Sequence, residues 1–174
     1  LKELMSLDIS IGVGSWARTQ QELRVSHELA EKAIEYRYLL GGSLLIDMEE
    51  QPEEKNLSIK DYVEKLVAAL KADKKENAEH ILEQISSEIK EARVDKSRAC
   101  VYLQQIIRAA DETCEDMVPD SKLFSKREAL LQQVTEQNSF DSAFELVKSH
   151  VGEIFQTLSD ANSSSGQRQA RLAL

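Results

Sequence analysis

Asp8-Ile-Ser-Ile-Gly-Val-Gly14, then Ser26-His-Glu-Leu-Ala-Glu-Lys-Ala-Ile-Glu-Tyr-Arg-Tyr-Leu-Leu-Gly-Gly42, then Ser43-Leu-Leu-Ile-Asp-Met48 succeed one another near the start of the chain. In residues 7 to 14, Ile9, Ile11 and Val13 alternate with Asp8, Ser10 and Gly12, the period of a half-buried strand. Gly14-Ser15 breaks that run, and Thr19-Gln-Gln-Glu22 has the spacing of a capping box that opens a helix. The inner stripe of the helix reads Leu23, Ala30, Ala33, Ile34 and Tyr38, and Gly41-Gly42 ends it. Leu44, Leu45 and Ile46 then form a continuous apolar run, expected as a strand covered on both faces. Trp16, the sole tryptophan, is expected to staple the helix start to the first strand.

Beyond residue 48 the pattern changes. The stretch 49–57, acidic and containing Pro52, reads as a linker and as the strongest domain boundary in the chain. From 58 to 161 the periodicity is helical. Ser58 with Asp61 is expected to cap a helix carrying Ile59, Tyr62, Val63, Leu66, Val67 and Leu70. After a turn at Asp73-Lys-Lys75 comes a stripe of Ala78, Ile81, Leu82, Ile85 and Ile89. Asp95 caps a third helix with Ala99, Tyr102, Leu103, Ile106, Ile107, Ala110 and Cys114. Pro119-Asp120-Ser121 is expected to start a fourth, with Phe124, Leu130, Leu131 and Val134. Asn138-Ser139 starts a fifth, running from Phe140 through Phe144, Val147, Val151 and Ile154 to Leu158. Each stripe covers about a third of its helix, the width that buries against neighbours. Short connections favour antiparallel packing. The fold class expected is α+β, predominantly α: an N-terminal β-α-β segment over 1–48 and an antiparallel bundle of about five helices over 58–161. Composition marks 162–174, with Asn162-Ser-Ser-Ser-Gly166, as a flexible tail.

Composition bounds the function. The 174 residues are enough for a true core, and their formal net charge of −9 disfavours direct contact with a phosphate backbone. No apolar run reaches the roughly 20 residues of a membrane span. Leu1 in place of a methionine, with no signal-peptide pattern, reads as a piece of something longer. Cys100 and Cys114 stand 14 residues apart on one helical pattern. That is about 21 Å along a straight helix, beyond disulfide reach, so both are expected as reduced thiols on a buried face.

Candidate chemistry is sparse. His27, His80 and His150 are isolated, and a metal site of His80 with Glu76 and Glu83 competes with a plain solvated helix face. Glu49, Glu50, Glu53 and Glu54 offer charge without the converging oxygens of a hard-cation site. Gly12-Val-Gly14 lacks the third glycine and the lysine of phosphate loops and reads as a strand-end turn. Ser6, Ser10, Ser15 and Ser26 invite a nucleophile reading through His27. Adjacent Ser26 and His27, however, point about 100° apart on a helix. Tyr36-Arg37 reads either as an exposed recognition pair or as packing. No catalytic residue, metal ligand or cofactor-binding residue is expected.

The run Ile9-Ser10-Ile11-Gly12, succeeded by Ala30-Glu31-Lys32-Ala33-Ile34-Glu35 and Gly41, resembles the last β-α-β segment of GGDEF-type, nucleotide-cyclase-like domains. The family's lysine position falls on Tyr38, and its arginine and asparagine fall on Gly42 and Ser43. Ser26, Ala30, Ala33, Tyr36-Arg37 and Leu40-Gly41 resemble the degenerate version in the middle of bacterial AraC-type transcription regulators, with His27 replacing the usual aromatic. Leu66-Val-Ala-Ala-Leu-Lys-Ala-Asp73, then Ala78, is similar to that family's next helical turn. The specific part of the resemblance covers residues 8 to 46. It implies a non-catalytic signal-transmission and dimerisation module, linking an upstream sensor or receiver to a DNA reader beyond Leu174. It further implies a homodimer that touches DNA only through that downstream domain and has no direct membrane contact. The expected location is cytoplasmic, either free or as the cytoplasmic part of a membrane-anchored protein. A free-standing helical adaptor is the alternative. A residual cyclase is weakest, because the phosphate-contacting basic positions are lost.

Overall fold

The structure is a computed structural model that describes residues 9–41, 45–47, 57–119 and 125–172, with side chains to Asn162. Two short strands, β1 (Ile11–Val13) and β2 (Leu45–Asp47), pair in parallel, with Ile11 beside Leu45, Gly12 beside Ile46 and Val13 beside Asp47. Between them in sequence lie α1 (Gln20–Glu35) and the single turn α2 (Arg37–Leu40). Then come α3 (Lys60–Lys71), α4 (Lys75–Ala92), α5 (Lys96–Met117), α6 (Arg127–Glu136) and α7 (Phe140–Leu172). The described residues are therefore mostly helical, with one small parallel sheet among them.

The start of α1 obeys its sequence closely. Thr19 Oγ1 accepts from the Glu22 amide at 3.2 Å, while Glu22 Oε2 accepts from the Thr19 amide at 3.1 Å. This reciprocal box satisfies two amides that the helix itself leaves unbonded. Near its C-terminal end the helix is interrupted at Tyr36, and α2 continues to Gly41, whose φ of +66° closes it. No atom lies within 4 Å of a Cβ built on Gly41, so glycine is needed there for conformation and not for space.

Gly12 and Gly14 serve the opposite purpose. A Cβ on Gly12 would drive into the Ala30 carbonyl oxygen, with Ile34 Cγ1 at 2.9 Å and Ala33 Cβ at 3.1 Å. A Cβ on Gly14 would strike the Ser26 carbonyl, with Ser26 Oγ at 2.6 Å. The two glycines let α1 lie almost directly on β1, backbone against backbone, and Ser26, Ala30 and Ala33 are the small residues facing them. Ser26 Oγ donates to the Ser15 carbonyl at 2.6 Å and ties the two elements together. The strand ends at Val13 as expected for Gly12-Val-Gly14, and the two glycines are in addition helix-packing contacts.

This close approach overturns three expectations. Leu23 and Ile34, expected on the inner stripe, remain exposed because the contact face of α1 is made of small residues. Trp16 is 92% exposed and does not staple the helix to the strand, since Glu22 and Ser26 already fix the helix start. β2 is covered on one face only: Ile46 is buried, while Leu45 is 71% exposed. Ile9, Ile11 and Leu45 therefore share an apolar face turned away from α1.

Helices α3 to α7 enclose one continuous core, to which Tyr38 and Leu39 of α2 also belong. The stripes expected for the second, third and fifth helices are the buried faces of α4, α5 and α7, with Tyr102 only partly covered. Asp95 caps α5, accepting from the Arg98 amide at 2.8 Å. The cap of α3 differs: Ile59 holds the N-cap position without a side-chain cap, while Ser58 is exposed. Burial of Ile59, at 2% exposure, places the helix start one residue later than the hydroxyl would. Helix α7 runs to Leu172, so the backbone over 162–172 is helical where composition reads a flexible tail. The linker at 49–56, Leu44 and the start expected at Asp120-Ser121 lie outside the described residues.

Replacing Gly12 by Ala forces β1 and α1 apart. We expect a loss of about 1–3 kcal/mol, the usual range for overpacking, read by chemical denaturation. Amide exchange should accelerate in β1 and α1 before the helices α4, α5 and α7. Unchanged stability of Gly12→Ala would show that the approach is looser than described.

Candidate functional site

Two constellations stand out, and both join elements distant in sequence. The first is the seam where α2 meets α5 and α7. Tyr38 and Leu39 project from α2 into the helical core, each 4% exposed. The Tyr38 ring meets Phe140 of α7 edge-on, with centroids 6.3 Å apart and planes at 80°. Phe140 in turn stacks on Phe144 at 5.7 Å. Such pairs add to the stabilisation from burial itself. Tyr38 Oη lies 3.7 Å from Cys100 Sγ of α5. Burial, and then the contact with Cys100, push the phenol well above its ordinary range, so it stays protonated. Lys96 Nζ sits 5.2 Å from the Tyr38 ring centroid and donates to the Gln137 carbonyl at 2.9 Å. One residue of α2 thus touches the start of α5 and the start of α7 at once.

The second constellation is a charge clamp across three helices. Asp111 of α5 is fully buried, and it sits four residues after Ile107 on the apolar stripe. His150 Nε2 of α7 donates to Asp111 Oδ1 at 2.7 Å, and Arg127 Nε of α6 donates to Oδ2 at 2.7 Å. Arg127 also lies 3.7 Å from Glu115 Oε2. Burial alone would raise the Asp111 carboxyl; hydrogen bonds from His150 and Arg127, with their charges, overcome that and hold it below the usual aspartate range. The guanidinium of Arg127 is raised in turn, first by its hydrogen bond to Asp111. A buried carboxylate with two charge-assisted donors is stable, whereas one stripped of them is very costly.

The candidates read from the sequence are dispersed. His27 is exposed beside Glu31, 3.5 Å away. His80 is exposed, and Glu83 is engaged by Lys148 at 2.7 Å. No group of three or more potential metal ligands is found among the described residues. Ser26 serves the β1–α1 contact. Cys100 and Cys114 are buried and not joined in a disulfide. Tyr36 is partly buried against the core and Arg37 is exposed, so the pair divides between packing and surface. Ser6, Glu49, Glu50, Glu53 and Glu54 lie outside the described residues. Asp111 and Arg127 escape notice in the sequence, and so does their union with His150. The available signal was an aspartate in register with Ile107 and a histidine between Val147 and Val151, both on apolar faces.

No described helix is long and apolar enough to cross a membrane. Comparison with protein-family models, characterised proteins and solved structures finds no match for this chain. The two constellations must therefore be read from their own chemistry. Both bring helices together.

Asp111→Ala leaves Arg127 without its buried counter-charge and His150 without its acceptor. We expect a loss of about 3–5 kcal/mol by urea titration at neutral pH. The sign with pH comes from a folded-state pKa that is depressed. The contribution is fully present above the ordinary aspartate value of about 3.9 and is lost as pH falls through it towards the lower folded-state value. An Asp111→Asn variant should show a flatter stability curve across that acid interval than the parent. Parallel curves would exclude the clamp as a stabilising ion pair.

Proposed function

We propose that this chain is a non-catalytic signal-transmission and dimerisation module of the kind found in the middle of bacterial AraC-type regulators. In this reading the β1-α1-α2-β2 unit is the end of a degenerate GGDEF-like domain. Helices α3 to α7 form an antiparallel bundle, and a DNA reader is carried downstream. The observation that carries the reading is Tyr38. It belongs to the N-terminal unit, yet its ring and hydroxyl are seated against Phe140 and Cys100 of the helical core. A shift of the sheet that moves α2 must either repack Phe140 at the root of α7 or withdraw a buried ring, which are two discrete arrangements. Transmission needs such a two-state element, biased from one side and read from the other.

Dimerisation finds support in the apolar face of the sheet. Of the ten exposed large apolar residues among those described, eight (Ile9, Ile11, Trp16, Leu23, Val25, Ile34, Leu40 and Leu45) lie between residues 9 and 45. Parallel sheets are ordinarily covered on both faces, and exposed apolar patches mark interaction sites. Of these, Ile9, Ile11 and Leu45 share the sheet face, and that exposed face equally supports the second reading, a helical adaptor whose partner covers it. The regulator carries a DNA reader beyond Leu174, and the adaptor carries none.

Tyr38→Ala should raise amide exchange in the first turns of α7 and α5 by an order of magnitude or more. Removing a buried aromatic costs about 3–5 kcal/mol, and Tyr38→Phe should stay near the parent. Exchange changes confined to α1 and α2 would sink the transmission reading. For dimerisation, sedimentation velocity should give a dimer for the parent and a monomer for Leu45→Lys, both folded. A parent that stays monomeric at every concentration would remove the dimerisation role and leave Tyr38 untouched.

A further inference from the structure

Beside Tyr38, at the seam between α2 and α5, lies a cavity of about 560 Å³. That volume falls in the range of small-molecule sites, which favour junctions between structural units. Two cations line it, Arg37 from α2 and Lys96 from the first turn of α5, with Ser97 and Asn138 as further polar groups. Among the described residues neither cation is in an ion pair with a carboxylate. Lys90 and Lys148, by comparison, have Asp141 and Glu83 at 2.6 and 2.7 Å. Lys96 is held in place by the Gln137 carbonyl and the Tyr38 ring, so its ammonium is positioned without being neutralised. Glu35 is the one carboxylate among the lining residues.

We propose that this cavity binds the phosphate or carboxylate group of a small molecule. The anion bridges Arg37 of α2 and Lys96 of α5. Arg37 offers a planar fork of donors and Lys96 a point charge, a combination suited to a tetrahedral or planar oxyanion. Glu35 repels a second negative charge and accepts from a hydroxyl or ammonium donor on the same ligand. Because the bridge spans the seam, occupancy tightens α2 on α5. Such a ligand would be the input of the transmission module, a consequence that rests on the transmission reading, though the binding itself does not.

The test is a titration of the full chain, monitored by amide NMR, with inorganic phosphate and separately with acetate, at matched ionic strength in chloride. We expect saturable shifts centred on Arg37, Lys96, Ser97 and Asn138, with the stronger of the two anions naming the ligand's acidic group. Arg37→Gln, at an exposed position where folding is safe, should weaken binding about tenfold, the weight of one charge-assisted contact. Lys60→Gln, at an exposed lysine outside the cavity lining, should leave it unchanged. Absence of saturation with both anions, or equal affinity in Arg37→Gln, overturns the site. Amide exchange of α7 in the bound state separates the two claims. Binding that leaves α7 unaltered upholds the site and counts against transmission, whereas failure to bind removes the site and leaves the Tyr38 contact as it stands.

Discussion

A carboxylate with no exposed surface can be tolerated only where donors surround it, and Asp111 imposes that requirement on the whole helical core. Its two oxygens are satisfied from different helices, His150 on one side and Arg127 on the other. Apolar stripes alone allow helices to rotate or slide against one another at modest cost, because any apolar side chain can fill another's place. An ion pair with hydrogen bonds at 2.7 Å on both oxygens allows far less. It fixes which turn of α7 faces which turn of α5 and brings the start of α6 to the same point. The remaining core residues then pack in the one register that keeps the charge satisfied.

With α5 and α7 held near their middles, their first turns are where the structure accepts another element. Phe140 is fully buried at the first position of α7, and Lys96 at the first position of α5 leans over Tyr38. The α2 turn enters between them. Glycines at 12 and 14 let α1 pack backbone-close on β1, and beyond the break at Tyr36 the side chains of Tyr38 and Leu39 are buried in the helical core. Backbone-to-backbone packing, a kink and an aromatic insertion together make a continuous route from sheet to helix.

Local rules read this chain well where local physics decides. The caps at Thr19 and Asp95 and the stripes of α4, α5 and α7 come from period and cap chemistry alone. The failures share a cause. Leu23 and Trp16 look like inward residues until the glycines of β1 bring small side chains into the contact instead. Ser58 looks like a cap until burial of Ile59 decides the start of α3. Leu45 looks doubly covered because a parallel strand usually is. In each case what does or does not pack on the residue from elsewhere in the chain decides against the local preference. The clamp was hidden for the same reason: Arg127 and His150 lie 16 and 39 residues from Asp111, and each alone looks unremarkable.

The position of Trp16 has an optical consequence. It is the single indole in the chain, and it is almost wholly hydrated three residues past β1. An indole so exposed is expected to emit much as it does in water, so unfolding of the helical core should shift it very little. The tyrosines at 38, 62 and 102, all at least partly buried, carry the information about that core. A surface coming down on Trp16 should shift its emission to the blue, which gives the molecule separate intrinsic reporters for folding and for association.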